Sequence, residues 1–89
     1  MNARPLATGL RLLREVHGLS IAELARRGGT TSVTVSRLEH GHIPANEGHL
    51  AAYAFALGLS PTLTLSRASR LATAAERGPT TTNDPEPTT

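Results

Sequence analysis

Ser32, Thr34 and Arg37 fall within one short run, Thr31-Ser-Val-Thr-Val-Ser-Arg-Leu-Glu39, whose apolar positions Val35 and Leu38 share a helical face. A helix that turns Val35 and Leu38 inward leaves its outward N-terminal positions polar. Side chains of this kind, carried on a helix, can reach the hydrogen-bonding edges of bases in a DNA groove. The other groups with chemical potential are four histidines, His17, His40, His42 and His49. The His40-Gly-His42 pair could ligate a metal, but it has little carboxylate support, and the histidines read better as exposed loop groups near phosphate. There is no Cys, which removes disulfides and thiolate metal sites. Neither a Ser/His/Asp arrangement nor a phosphate-cradling glycine loop is present. The expectation is a binding protein rather than an enzyme, with no cofactor and no metal.

The elements that must hold Arg37 and its neighbours follow from punctuation in the chain. Leu6, Leu10 and Leu13 recur at helical spacing, with His17 as a weaker member and Leu12 and Val16 widening the stripe. Pro5 suits a first turn, and Gly18 suits a left-handed stop. Ser20-Ile-Ala-Glu23 is a capping box that opens a second helix, with Leu24 and Ala25 inward and its end at Gly28-Gly29. Thr31 is a good N-cap for the third helix, which ends at Gly41. Pro44-Ala-Asn46 makes a loop, and Asn46 caps a fourth helix that buries Leu50, Tyr53, Ala54 and Leu57 before Gly58. Two short helices across a tight glycine turn, with small Ala25 at their crossing and a polar outward face on the second, form a helix-turn-helix in Gly18–Gly41.

Composition agrees with a polyanionic partner. All basic side chains are Arg, and Arg4 to Arg70 contains eight of them against Glu15, Glu23, Glu39 and Glu47. A net charge of this size is modest and also occurs in proteins that never meet nucleic acid. Residues 78–89 carry three Pro, Asp84, Glu86 and no bulky apolar side chain, so they cannot offset their ordering entropy. The expected organisation is a DNA-binding domain over 1–70 and a flexible, disordered tail over 71–89. The 89 residues suffice for one domain with a small core, and chains this short often rely on a second subunit. No run approaches the ~20 apolar residues of a membrane span, and the first residues lack a signal-peptide core. A cytoplasmic protein is expected.

From Leu10 to Gly41 the chain resembles the Cro/repressor (xenobiotic-response-element) helix-turn-helix family, through Gly-Leu-Ser, then Glu-Leu-Ala, then Val-Ser-Arg-Leu-Glu-x-Gly at matching intervals. The likeness extends over about Leu6 to Ser60. It implies an all-α, lambda-repressor-like domain of four or five helices that binds double-stranded operator DNA as a homodimer and regulates transcription as a repressor. By position, Ser32, Val33 and Arg37 fall where the family touches base edges. Arg37 would grip guanine O6 and N7, and Val33 a thymine methyl. Thr34, Ser36 and the helix amides near Thr31 would hold phosphates. Arg14 and Glu39 match positions that pair between the first helix and the reading helix. Two positions depart from the family: Ile21 replaces a Gln that usually anchors a phosphate, and Gly28 replaces an apolar residue.

Pro61-Thr-Leu-Thr-Leu-Ser66 alternates Leu with Thr and reads as a short strand at about 61–66, with a fifth helix as the other reading. A lone strand needs a mate, and the same strand of a second copy, paired through Leu63 and Leu65, would supply dimerisation. A helix-turn-helix followed by such a strand is similar to HipB-like antitoxins. That likeness implies a protein that represses its own operon and neutralises a HipA-type kinase toxin. The alternatives are a stand-alone phage-type repressor and an adaptor that keeps the fold but binds a protein partner without reading DNA.

Overall fold

Four of the helices start where a side chain satisfies one of the first free backbone amides. In the computed structural model, which describes residues 4–77, the chain forms α1 (Arg4–Val16), α2 (Ile21–Gly28), α3 (Ser32–Glu39), α4 (Glu47–Leu57) and α5 (Pro61–Arg77). The Ser20 hydroxyl accepts from the Glu23 amide at 3.0 Å, and the Glu23 carboxylate accepts from the Ser20 amide at 2.9 Å. That amide bond holds the Glu23 carboxyl below the usual range. Thr31 caps α3 through the Thr34 amide, and Asn46 caps α4 through the His49 amide. Gly18 and Gly58 end α1 and α4 in the left-handed region.

The core gathers Leu10 and Leu13 of α1, Leu24 and Ala25 of α2, Val35 and Leu38 of α3, Tyr53, Ala56 and Leu57 of α4, and Ala68 of α5, with Leu19 from the first turn. Leu50 is only partly buried against it. The α1 stripe is narrower than its sequence suggests, because Val16 is 71% exposed and His17 lies beyond the helix end.

The segment 61–66 is helix, not strand, and it pairs with nothing as a strand. The residues that settle this are the small ones. Thr64, Ala68 and Ala72 recur every four positions, are buried, and form a flat stripe. The stripe lies against α1 so closely that a Cβ added at Gly9 would stand 1.9 Å from the Ala68 carbonyl oxygen. Leu63 and Leu65, expected to build an intersubunit strand, stay 38% and 39% exposed on this helix. Its start is marked by Ser60, whose hydroxyl accepts from the Leu63 amide at 3.1 Å, followed by Pro61 in the first turn. The helix continues to Arg77, so 71–77 extend the folded part; the rest of the expected tail, 78–89, lies outside the described residues. No helix among the described residues is long and apolar enough to cross a membrane.

Gly28 has a structural role that its sequence context hides. An added Cβ would meet the Ala52 carbonyl oxygen at 2.6 Å and its carbon at 3.2 Å. Glycine is therefore what lets α2 and α4 approach, not a gap where a larger apolar residue is missing. Helix propensity alone would make Gly28→Ala stabilising by up to about 1 kcal/mol. The backbone contact reverses the sign, and the variant is expected to lose about 1–3 kcal/mol in urea unfolding. A neutral or stabilised Gly28→Ala would show that α2 and α4 are not in this contact.

Candidate nucleic-acid interface

Arg37 can do chemistry only if α3 is held with its polar side outward, and three features hold it so. Val35 and Leu38 are buried at its base. The cavity between α3, α2 and α4 measures about 10 Å³, room for one water at most. At the other end, Glu39 is tied into a buried network. Arg14 Nε donates to Glu39 Oε2 at 2.7 Å and Nη2 to Oε1 at 3.1 Å, while Nη1 donates to the Leu19 carbonyl at 2.8 Å. The Tyr53 hydroxyl lies against both Glu39 Oε2 and the Leu10 carbonyl. It has one proton for two acceptors, and the carboxylate is the stronger. Burial and the neighbouring carboxylate push the Tyr53 hydroxyl well above its ordinary range, so it remains a donor. The hydrogen bond to Glu39 likewise raises Arg14, against the opposing effect of burial.

The turn between α2 and α3 is set by Gly29 at φ 71°, whose amide, with that of Thr30, closes back on Arg26 and Ala25. The outward surface of α3 then carries the residues expected there. Ser32, Val33 and Arg37 are exposed, with Val33 at 58%. Thr34 and Ser36 are half-buried at the flanks. Thr31 accepts the Thr34 amide at 3.1 Å and donates to the Thr34 hydroxyl at 2.9 Å, which leaves the Thr34 proton free to meet a phosphate oxygen. Ile21 packs on the core instead of offering a polar anchor, while Arg26 and Arg27 of α2 are exposed. The exposed face of α3 is thus a row of hydroxyls, one methyl-bearing side chain and one guanidinium. It can hydrogen-bond base edges and phosphates.

Buried Tyr53 and exposed His40 each make a contact with this helix that the sequence does not display. Tyr53 reads there only as a core residue, yet its hydroxyl completes the Arg14–Glu39 pair from α4. His40 closes α3, with its Nδ1 2.7 Å from the Ser36 carbonyl, and its ring centroid lies 5.8 Å from that of His42. The signal that could have found it is spacing: position 40 is three and four residues beyond Arg37 and Ser36 on the helical face.

A family model described as a helix-turn-helix domain matches residues 5–66. Among solved structures, the chain is similar to the clp gene regulator ClgR from C. glutamicum, with a TM-score of 0.67 and 28% identity over 79% of this chain and 91% of that one. No curated protein matches.

Proposed function

The chain belongs to the helix-turn-helix domain family and is a DNA-binding transcription regulator; from that premise we propose that it is a sequence-specific, homodimeric repressor acting on its own operon. The observation that carries the reading is the outward face of α3, where Ser32, Val33 and Arg37 stand exposed on a helix fixed from behind. The similarity to a gene regulator supports regulation as the outcome of binding. Repression asks for nothing beyond occupancy of the operator.

A dimer is supported by exposed apolar side chains next to the α4–α5 connection, chiefly Phe55 at 76% exposure, the only Phe in the chain, with Leu63 and Leu65 beyond it. In this reading the two copies meet through helices and not through a shared strand. The antitoxin reading and its HipA-type kinase partner rested on that strand and lose the observation behind them. The adaptor reading drew on Ile21, but Ile21 has a core role, and Arg26, Arg27 and Arg37 leave the exposed surface cationic.

The experiment is a nuclease footprint of the purified protein on the DNA upstream of its own gene. Two protected half-sites about 10 base pairs apart, centre to centre, are expected for a symmetric dimer. One unpaired site would remove the dimer, and no protection at any concentration that saturates other DNA would remove autoregulation.

A further inference from the structure

We propose that His40 and His42 form a proton-gated contact for the DNA phosphate backbone at the C-terminal end of α3. The proposal rests on the DNA-binding reading above and adds a second, titratable contact to it.

Val33, Arg37 and His40 fall within about 60° of one another at 100° per residue, so they share one exposed face. An eight-residue helix is about 12 Å long, similar to the ~12 Å width of the major groove. If Val33 and Arg37 face bases, the side chain one turn further on stands at the phosphate wall. His40 is that side chain, and it is exposed. His42 is exposed too, held beside it by the bond from its amide to the Arg37 carbonyl at 2.8 Å.

The hydrogen bonding fixes which nitrogen acts. A carbonyl can only accept, so the 2.7 Å contact with Ser36 requires a proton on His40 Nδ1. In the neutral ring Nε2 is then a lone pair, which repels a phosphate oxygen. Protonation converts it to a charged N–H donor without moving the ring.

The surroundings leave the pair available for an external anion. On α3 itself the other charged groups are Arg37 and Glu39, and Glu39 is committed to Arg14. From α1 comes Glu15, paired with Arg11, and from the turn after it His17. From α2 come Glu23, held at the Ser20 cap, and the cations Arg26 and Arg27. From α4 come Glu47 and His49, whose Nδ1 is bonded to the Pro44 carbonyl. Among the described residues the ion pairs within 4.0 Å are Arg11–Glu15 and Arg14–Glu39, so neither imidazole has a carboxylate partner.

The test uses fluorescence anisotropy of the whole protein on a labelled mixed-sequence duplex, since phosphate contacts do not depend on sequence. The slope of log affinity against log salt is measured at about pH 5.5 and about pH 8. Each phosphate neutralised adds about 0.9 to the slope, so the wild type is expected to be steeper at the lower pH by about 1–2. The His40→Gln/His42→Gln protein is expected to bind with the same slope at both values. Equal wild-type slopes would overturn the proposal. So would a pH-dependent slope that survives in the double variant, and His17→Gln and His49→Gln would then locate its source. Absence of binding at both pH values would instead overturn the DNA reading, and this contact with it.

Discussion

Glu39→Ala is expected to cost about 3–5 kcal/mol of folding stability, the usual penalty for breaking a buried ion pair from one side. That is a large share of the about 5–15 kcal/mol that holds a small domain together. The Glu39 side chain is 1% exposed and the Arg14 side chain 10%, so water cannot replace the lost partner. Removing the carboxylate leaves the buried Arg14 guanidinium with the Leu19 carbonyl as its remaining acceptor. It also frees the Tyr53 proton for the Leu10 carbonyl, which softens the loss slightly. Urea unfolding followed by far-UV circular dichroism measures the effect. Replacing both charges by apolar residues, as in Arg14→Met/Glu39→Leu, is expected to recover much of it, because no unpaired charge then remains. A loss below about 1 kcal/mol for Glu39→Ala, the range of exposed pairs, would mean that the network is open to solvent. The consequence for function is indirect. The pair joins the end of α1 to the end of α3, so losing it releases the helix that presents Arg37.

How far this arrangement was legible differs from residue to residue. Helix starts at Ser20, Thr31 and Asn46 are visible because a cap is a contact over three residues, and the sequence displays such contacts directly. The outward face of α3 is visible for the same reason: Val35 and Leu38 fix its phase. The segment 61–66 is not, because its Leu/Thr alternation satisfies two periods at once. Burial by small residues breaks the tie, and smallness is a signal only when the opposing surface is known. Thr64 and Ala68 are buried because Gly9 lets the α1 backbone come to them, and those positions are 55 or more residues apart. The role of Gly28 is hidden on the same ground, since its carbonyl neighbour, that of Ala52, lies on a different helix. The Arg14–Glu39 pair becomes apparent by resemblance, while the third member, Tyr53, needs the fold to bring α4 beneath α3. Long-range closeness is what sequence spacing does not encode.

Arg37→Ala is expected to lower affinity for the operator by about 1–3 kcal/mol, roughly 5–150-fold, while leaving the fold intact. The side chain is exposed and makes no ion pair among the described residues, so its removal takes nothing from the core. The loss should therefore fall on recognition. Two contributions are mixed in it, charge and shape, and Arg37→Lys separates them. A lysine keeps the positive charge but not the planar fork that meets guanine O6 and N7 together. If Arg37 reads a base, Lys will restore much of the salt-dependent, sequence-independent binding and little of the preference for operator over mixed-sequence DNA. If Arg37 only holds a phosphate, Ala will weaken all sequences equally and leave the preference intact, and Lys will restore the affinity. The informative quantity is the ratio of specific to non-specific affinity at one fixed salt concentration, measured by anisotropy for the three proteins. An unchanged ratio in Arg37→Ala would remove Arg37 from base reading and leave Ser32 and Val33 to account for any specificity. A ratio that collapses in both variants assigns the guanine contact to the guanidinium fork itself.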